Sequence, residues 1–322
     1  MTRQDVASLT HEPYTDVCGV YRICNPAYRV ARNQSFYRVM RIADISGQIN
    51  GYAWDDKYKS SYCPEDNDII RIVGRTKVSP TTGFVIVDIR DAEPAPRAVE
   101  NPFALLPLSN SANVDDIREL VKVIDDISSP SLRNFLYSVF RDDDLAEAYV
   151  FGKASSRHHH SNIGGLMRHS LECVRMINKY TEFPEHEREV GITAALLHDL
   201  VKTRSYYNSD EGYSTPMINH DARSLEFLAA PLRDLERSWC DGAGLLRMAL
   251  EFPMMKKDYL YKKYHVPAII DLVWYIDQIS TALDMEKTAF RNLPGWQQYT
   301  KFSNFTYWRP MADNYQELKS AA

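Results

Sequence analysis

The residues best suited to chemistry in this chain are histidines and aspartates that stand in apolar helical segments. His169 shares one helical face with Cys173, four residues later. His198 and Asp199 stand side by side at the end of an apolar run, and Asp277 interrupts a third apolar segment. Burying an imidazole or a carboxylate among apolar side chains is costly unless the group is paired or binds a metal.

Each of these residues also has a purely structural explanation. His169 could be a core histidine that is bonded to a carbonyl group, and the His-Asp pair could be a structural ion pair. Asp277 could be a surface aspartate, and Asp271 and Asp284 compete with it because they lie six residues before it and seven residues after it in the same predicted helix. Taken singly, the residues leave these alternatives open.

Two periodicities divide the chain into halves that must position these residues. From about Phe36 to Asp91, short alternating runs of β-branched and aromatic residues predict a small barrel or sandwich. Four prolines between Pro94 and Pro107 mark a connector. Beyond it, helices are predicted at residues 115–127, 131–140, 163–180, 187–203, 220–235, 244–252 and 267–285.

The order His, His-Asp and Asp on three predicted helices resembles the HD superfamily of metal-dependent phosphohydrolases. The run from Arg157 to Ser170 resembles one branch of it, the YhaM-type 3′–5′ exoribonucleases, which join an OB-fold to an HD domain. Segments 44–49, 68–75, 105–107 and 129–133 are similar to that branch in character. The resemblance covers roughly residues 18–290.

This resemblance implies an α+β multidomain protein. An N-terminal OB-like β-barrel would be followed by an all-α HD-domain helical bundle. The implied limits are an N-terminal extension (1–17), the barrel (18–97), a linker (98–112), the HD domain (113–290) and a C-terminal extension (291–322).

The resemblance also implies that His169, His198, Asp199 and Asp277 hold the metal. A mixed set of imidazoles and carboxylates suits Mn²⁺, Fe²⁺, Zn²⁺ or Ni²⁺, and the family favours Mn²⁺. Such a metal lowers the pKa of a bound water and polarises a phosphoryl oxygen. Asp199 is expected to accept the proton of that water, and Lys202 to neutralise charge on the phosphate.

Three further histidines are catalytic candidates. His159, His160 and His220 are expected to bind phosphate, to protonate the leaving oxygen or to complete a second metal site. The chain departs from the family pattern at Val201, where glycine is usual. Where two-metal members have a later pair of histidines, this chain has Glu251 and its neighbours, so the number of metal ions stays open.

The predicted barrel is expected to bind a single strand by stacking bases on aromatic rings beside basic side chains. Residues 20–97 carry twelve Lys/Arg and nine Asp/Glu, a small basic surplus in a chain of net charge −5. The alternative for Trp54 is packing within the protein. The candidates for nucleic-acid contact are Tyr37, Arg38, Tyr52, Trp54, Arg71, Arg75, Lys77 and Phe84.

Composition excludes several classes of protein. No stretch approaches about 20 uncharged apolar residues, as a membrane span requires, and the first twelve residues lack the apolar run of a signal peptide. Five scattered cysteines without a C-x-x-C motif indicate reduced thiols. We therefore expect a cytoplasmic protein without a membrane partner, and a homo-oligomer stays open.

Three functions fit these observations. The leading hypothesis is a 3′–5′ exonuclease that uses a metal-activated water on single-stranded RNA, or on DNA. The second is an HD phosphohydrolase of nucleotides or other small phosphate esters, in which the barrel mediates assembly. The third is a nucleic-acid-binding or mobile-element accessory protein whose HD site is degenerate.

Overall fold

The computed structural model describes residues 4–95, 101–106, 114–155, 160–203, 220–255 and 265–311. The chain forms two compact units, residues 1–150 and 151–322. None of the described helices is both long enough and apolar enough to span a bilayer.

A closed five-stranded barrel is the centre of the first unit. Its order is β1-β2-β3-β5-β4, with β4 pairing back to β1. Strands β3 and β5 are parallel, and the other neighbours are antiparallel. The predicted OB-like barrel is therefore confirmed. The strands are β1 (Asp16–Val30), β2 (Phe36–Asp44), β3 (Gly47–Trp54), β4 (Ile69–Val78) and β5 (Val85–Pro94).

Alternation of buried and exposed residues along β4 separates the core of this barrel from its outer surface. Every second side chain of a strand points inward, as Ile70 and Ile72 do, whereas Arg71 between them is exposed. Helix α1 (Val6–Leu9) adds two more residues to the same core. The fully buried members are Val6, Leu9, Tyr21, Ile23, Ile42, Ala53, Ile70, Ile72 and Val87.

The first strand was not predicted from the sequence. Asn25 and Pro26 interrupt it in a way that is typical of a turn. In the structure the pairing with β2 shifts between Cys24 and Ala27, and Asn25 has a φ of 50°. A β-bulge thus absorbs the two residues without ending the strand.

Three helices follow the barrel in the first unit, after a 3₁₀ turn at Pro102–Leu105. The buried Arg22 of β1 donates two hydrogen bonds to Asp143, at 2.9 and 3.0 Å. These bonds link the barrel to the last of the three helices. The domain limits implied by the sequence stay a prediction, since contacts alone do not define domains. The helices are α2 (Val114–Asp125), α3 (Pro130–Val139) and α4 (Asp143–Phe151).

The second unit is mainly helical, and helices α5, α6 and α10 contact one another. A glycine sets the approach of two of them, because a Cβ at Gly191 of α6 would lie 2.8 Å from Ile269 Cδ1 of α10. The elements are α5 (Gly165–Ile177), α6 (Glu185–Leu197), α7 (His220–Phe227), α8 (Ala229–Ser238), α9 (Cys240–Met255), α10 (Ala268–Phe290), β6 (Tyr299–Phe302) and β7 (Phe305–Trp308).

Candidate metal centre

Three helices bring the four predicted ligands to one point. His169 lies on α5, His198 and Asp199 directly follow the last residue of α6, and Asp277 lies on α10. His169 Nε2 is 3.1 Å from both His198 Nε2 and Asp277 Oδ1. Asp199 Oδ2 is 3.5 Å from His198 Nε2 and 3.8 Å from His169 Nε2.

These separations suit a single cation. Nitrogen and oxygen ligands bind a transition metal at about 2.1 Å, so two of them lie about 3.0 Å apart at right angles and about 3.4 Å apart in a tetrahedron. The distances among His169, His198 and Asp277 are 3.1–3.5 Å and lie near these values, and Asp199 Oδ2 lies 3.5 and 3.8 Å from the two imidazoles. Within the part of the chain that the structure describes, His169, His198 and Asp277 are the group of donors close enough together to hold a metal.

The hydrogen bonds behind the imidazoles fix their tautomers. His198 Nδ1 lies 3.0 Å from the Ala195 carbonyl oxygen, which can only accept. Ser280 Oγ donates to Glu172 Oε2 at 2.9 Å and therefore accepts from His169 Nδ1 at 3.0 Å. We assign one proton to each Nδ1, so that both Nε2 atoms face the carboxylates. Without a metal, Nε2 can carry a proton and donate it to Asp277 Oδ1, and a bound cation would take the place of that proton.

Electrostatics favour positive charge at this point. Burial lowers the pKa of His198, but Asp199 and Asp277 outweigh burial and raise that pKa to about 9. Burial raises the pKa of Asp277, and hydrogen bonds from His169 and His198 outweigh it, leaving the pKa well below its ordinary value. The pKa of Asp199 is likewise lowered, since His198 and Lys202 together outweigh burial. The carboxylates therefore stay ionised and attract a cation.

The cluster is buried on one side and open on the other. His169 and Asp199 are buried, whereas the side chains of His198 and Asp277 are 19% and 29% exposed. A ligand of a metal held here could approach past these two residues.

Lys202 and His160 have partners near the cluster. Lys202 Nζ donates to Asp199 Oδ2 at 2.6 Å. His160 is 6% exposed, its Nε2 lies 3.5 Å from Glu172 Oε2, and its backbone N–H donates to Asp284 at 2.7 Å. Asp284 therefore binds the backbone at His160. It is not part of the group formed by His169, His198 and Asp277.

Several other candidates lie away from the cluster or outside the described residues. Glu251 is exposed on α9. His159 lies outside the described residues, and so does the side chain of His220, whose backbone begins α7. The catalytic roles expected for His159 and His220 therefore stay predictions.

The three predicted aromatic residues of β2 and β3 form one cluster on the outer face of the barrel. The Tyr37 ring centroid lies 4.7 Å from that of Trp54, its cross-strand partner, and 5.9 Å from that of Tyr52. All three side chains are half-buried. They therefore leave ring surface open to solvent beside their mutual packing.

The predicted basic residues are separated from this cluster. Arg38 lies on the other side of β2, between the rings of Tyr28 and Tyr58, with its Cζ 5.4 and 5.2 Å from their centroids. It also pairs with Asp55 at 3.3 Å. Such a guanidinium is already neutralised and packed, so its contacts are those of a structural residue.

The remaining candidates lie on or beside β4, which β1 and β5 separate from β2 and β3. Phe84 lies between β4 and β5 and is 75% exposed. Each basic side chain of β4 has a carboxylate partner. The pairs are Arg71–Glu93 (3.3 Å), Arg75–Asp16 (3.8 Å) and Lys77–Asp88 (2.5 Å).

Residues next to both candidate sites were not predicted from the sequence. Arg29 of β1 is exposed and lies directly opposite Tyr37, but the bulge in β1 hid this register. Glu172 and Ser280 stand three residues after His169 and Asp277. Helical spacing of three residues places both pairs on one face, so this signal was available.

No family model matches this chain. It is similar to two proteins described as 3′-5′ exoribonuclease YhaM, from Bacillus licheniformis and Bacillus subtilis (strain 168). Each is 18% identical over 180 residues, which are 54% of this chain and 55% of the relative. The chain thus spans about half the length of the curated relatives it matches.

Among solved structures, the chain is similar to the second OB-fold domain of replication protein A from Methanococcus maripaludis. That match has 12% identity and covers 31% of this chain and 100% of the other, with a TM-score of 0.24.

Proposed function

We propose that this chain is a metal-dependent phosphodiesterase that shortens single-stranded RNA from its 3′ end. The observation that carries the proposal is the convergence of two imidazoles and two carboxylates from three helices. The 18% identity to two 3′-5′ exoribonucleases supports the choice of reaction and substrate. The OB-like barrel supports a single-stranded ligand, because such barrels bind oligonucleotides.

The cation would be held by His169, His198, Asp199 and Asp277. Two imidazoles and two carboxylates suit a transition metal better than Mg²⁺, and Mn²⁺ is our choice. When bound, a divalent cation supplies a Lewis acid for a phosphoryl oxygen and lowers the pKa of a water molecule.

The neighbouring side chains have separate tasks in this proposal. Asp199 accepts the proton of the attacking water at Oδ1, since its Oδ2 is engaged by Lys202. Lys202 has three N–H donors and is 18% exposed, so it can bind a phosphate oxygen while it keeps Asp199 ionised. His160 is buried behind Ser280. We therefore assign it to positioning His169, not to proton transfer.

The outer face of β2 and β3 would bind the strand. Tyr37 and its aromatic neighbours offer ring surface for stacking bases. The exposed Arg29 and Arg41 flank these rings and would contact phosphates.

A labelled oligonucleotide tests the proposal. We would incubate a 5′-labelled 20-nucleotide oligo(U) with the protein and Mn²⁺, with and without EDTA. A ladder of 3′-shortened products that EDTA abolishes is expected. Hydrolysis of nucleotides without shortening of the oligomer would identify a phosphohydrolase of small esters. Binding of the oligomer without any hydrolysis would identify a binding protein with a degenerate site.

A further inference from the structure

The chain ends its described part in a β-hairpin that has an aromatic outer face. Strands β6 and β7 pair Tyr299 with Trp308 and Lys301 with Thr306. Residues directly opposite each other in an antiparallel pair share one face. Tyr299 and Trp308 are 63% and 54% exposed, and Lys301 and Thr306 are exposed as well. Two large rings thus stand side by side in solvent next to a lysine.

Contacts of Arg309 attach this hairpin to helix α10. The Cζ of Arg309 lies 4.3 Å from the ring centroid of Phe290, the last residue of α10. Arg309 also donates to the carbonyl oxygens of Pro294 at 2.7 Å and Gln297 at 3.1 Å. These contacts join the hairpin and its preceding turn to α10. The exposed rings therefore belong to a hairpin that these contacts fix to α10.

The sequence around the hairpin is basic, whereas the chain as a whole is acidic. Residues 287–312 contain four basic side chains and no aspartate or glutamate, whereas the whole chain has a net charge of −5. The same segment contains seven aromatic residues. Aromatic rings interleaved with positive charge suit single-stranded nucleic acid, in which bases stack on the rings and phosphates approach the cations. The basic residues are Lys287, Arg291, Lys301 and Arg309.

We infer that the face formed by Tyr299, Lys301 and Trp308 is a second contact for single-stranded nucleic acid, separate from the barrel. The inference rests on the proposed function, because it assigns a further contact to the same substrate. A second copy of the chain fits this face less well. In a two-fold symmetric contact each patch meets itself, so Lys301 would meet the same basic segment of the other copy.

The position of the hairpin defines what the contact would do. Phe290 lies thirteen residues after Asp277 on α10, or about 20 Å along the helix axis. The braced base of the hairpin is therefore remote from the metal centre. The face would hold nucleotides away from the reacting end, so its loss should weaken the binding of long strands and leave the hydrolysis of very short ones unchanged.

Fluorescence anisotropy of a 5′-fluorescein-labelled 20-nucleotide oligo(U), measured in EDTA, tests this inference without any turnover. We expect Trp308→Ala and Tyr299→Ala each to raise the Kd about tenfold, since each variant removes a ring on which one base would stack. Lys301→Ala should lower the slope of log K against log salt by about one. Tyr180→Ala is the matched control, because Tyr180 is 45% exposed elsewhere in the same unit.

Three results would overturn the inference. Equal Kd values for the wild type and the hairpin variants, with unchanged circular dichroism spectra, would remove the hairpin from RNA binding. Loss of a dimer in light scattering, with RNA affinity unchanged, would assign the face to self-association. Failure of the wild type to bind oligo(U) at all would overturn the proposed function together with this contact, and so the two failures are distinguishable.

Discussion

At the scale of residues, the candidate site depends on two imidazoles and two carboxylates that a bound cation would hold together in place of protons. Asp277→Asn keeps the shape of this ligand and removes its charge. We expect its Mn²⁺ affinity to fall by more than the 10–100-fold typical of outer partners, as measured by isothermal titration calorimetry. Asp271→Asn is the matched control, because it lies on the same helix outside the cluster. Equal losses in both variants would contradict the assignment.

Ser280 provides a second test at the same scale. Its Oγ accepts from His169 Nδ1 and donates to Glu172, so Ser280→Ala frees the imidazole to change tautomer. We expect Mn²⁺ affinity to fall about 10–100-fold, with the cobalt-substituted protein showing an altered absorption spectrum. Thr281→Ala is the control, since a helix turns about 100° per residue and directs this side chain elsewhere. An unchanged affinity and spectrum for Ser280→Ala would remove it from a positioning role.

At the scale of elements, the site depends on how closely α6 and α10 approach. Gly191→Ala would place a methyl group 2.8 Å from Ile269 Cδ1, and such overpacking costs roughly 1–3 kcal/mol. Gly244→Ala on α9 meets no atom within 4 Å and should gain about 0.4–1 kcal/mol through the unfolded state. Urea unfolding should give changes of opposite sign. A stabilised Gly191→Ala would show that the helices do not need this close approach.

The elements also show what the sequence could and could not predict. The helices next to the proposed ligands were predicted with their starts within two residues and their ends within six, because long apolar periodic segments define them. Strand β1 was missed because its bulge at Asn25 and Pro26 has the sequence of a turn. The hairpin β6–β7 was missed because its outer face is aromatic where a water-facing strand surface is usually polar.

At the scale of the whole molecule, the proposal separates strand binding from hydrolysis. Tyr37→Ala removes a ring from the outer cluster of the barrel, whereas the metal centre lies in the other compact unit. We expect it to weaken oligo(U) binding about five- to tenfold and to leave hydrolysis of bis-p-nitrophenyl phosphate with Mn²⁺ unchanged. Steady-state kinetics on both substrates distinguish these effects. Equal loss on both substrates would contradict separate roles for the units.

Assembly of the metal site could be predicted only in part. The four proposed ligands came from the resemblance to the HD pattern, because residue types and spacing alone left a structural explanation open for each of them. The choice of Asp277 over Asp271 and Asp284 required the packed helices, because all three aspartates lie on α10. The Nδ1 partners of the two imidazoles, Ser280 and the Ala195 carbonyl group, could not be predicted, because they depend on side-chain directions in the packed protein.

The most direct test of the central claim is a crystal structure of the Mn²⁺-soaked protein with anomalous scattering data. We predict one anomalous peak about 2.0–2.4 Å from His169 Nε2, His198 Nε2 and carboxylate oxygens of Asp199 and Asp277. A peak elsewhere, or none at a manganese concentration that supports hydrolysis, would contradict the assignment of these four side chains.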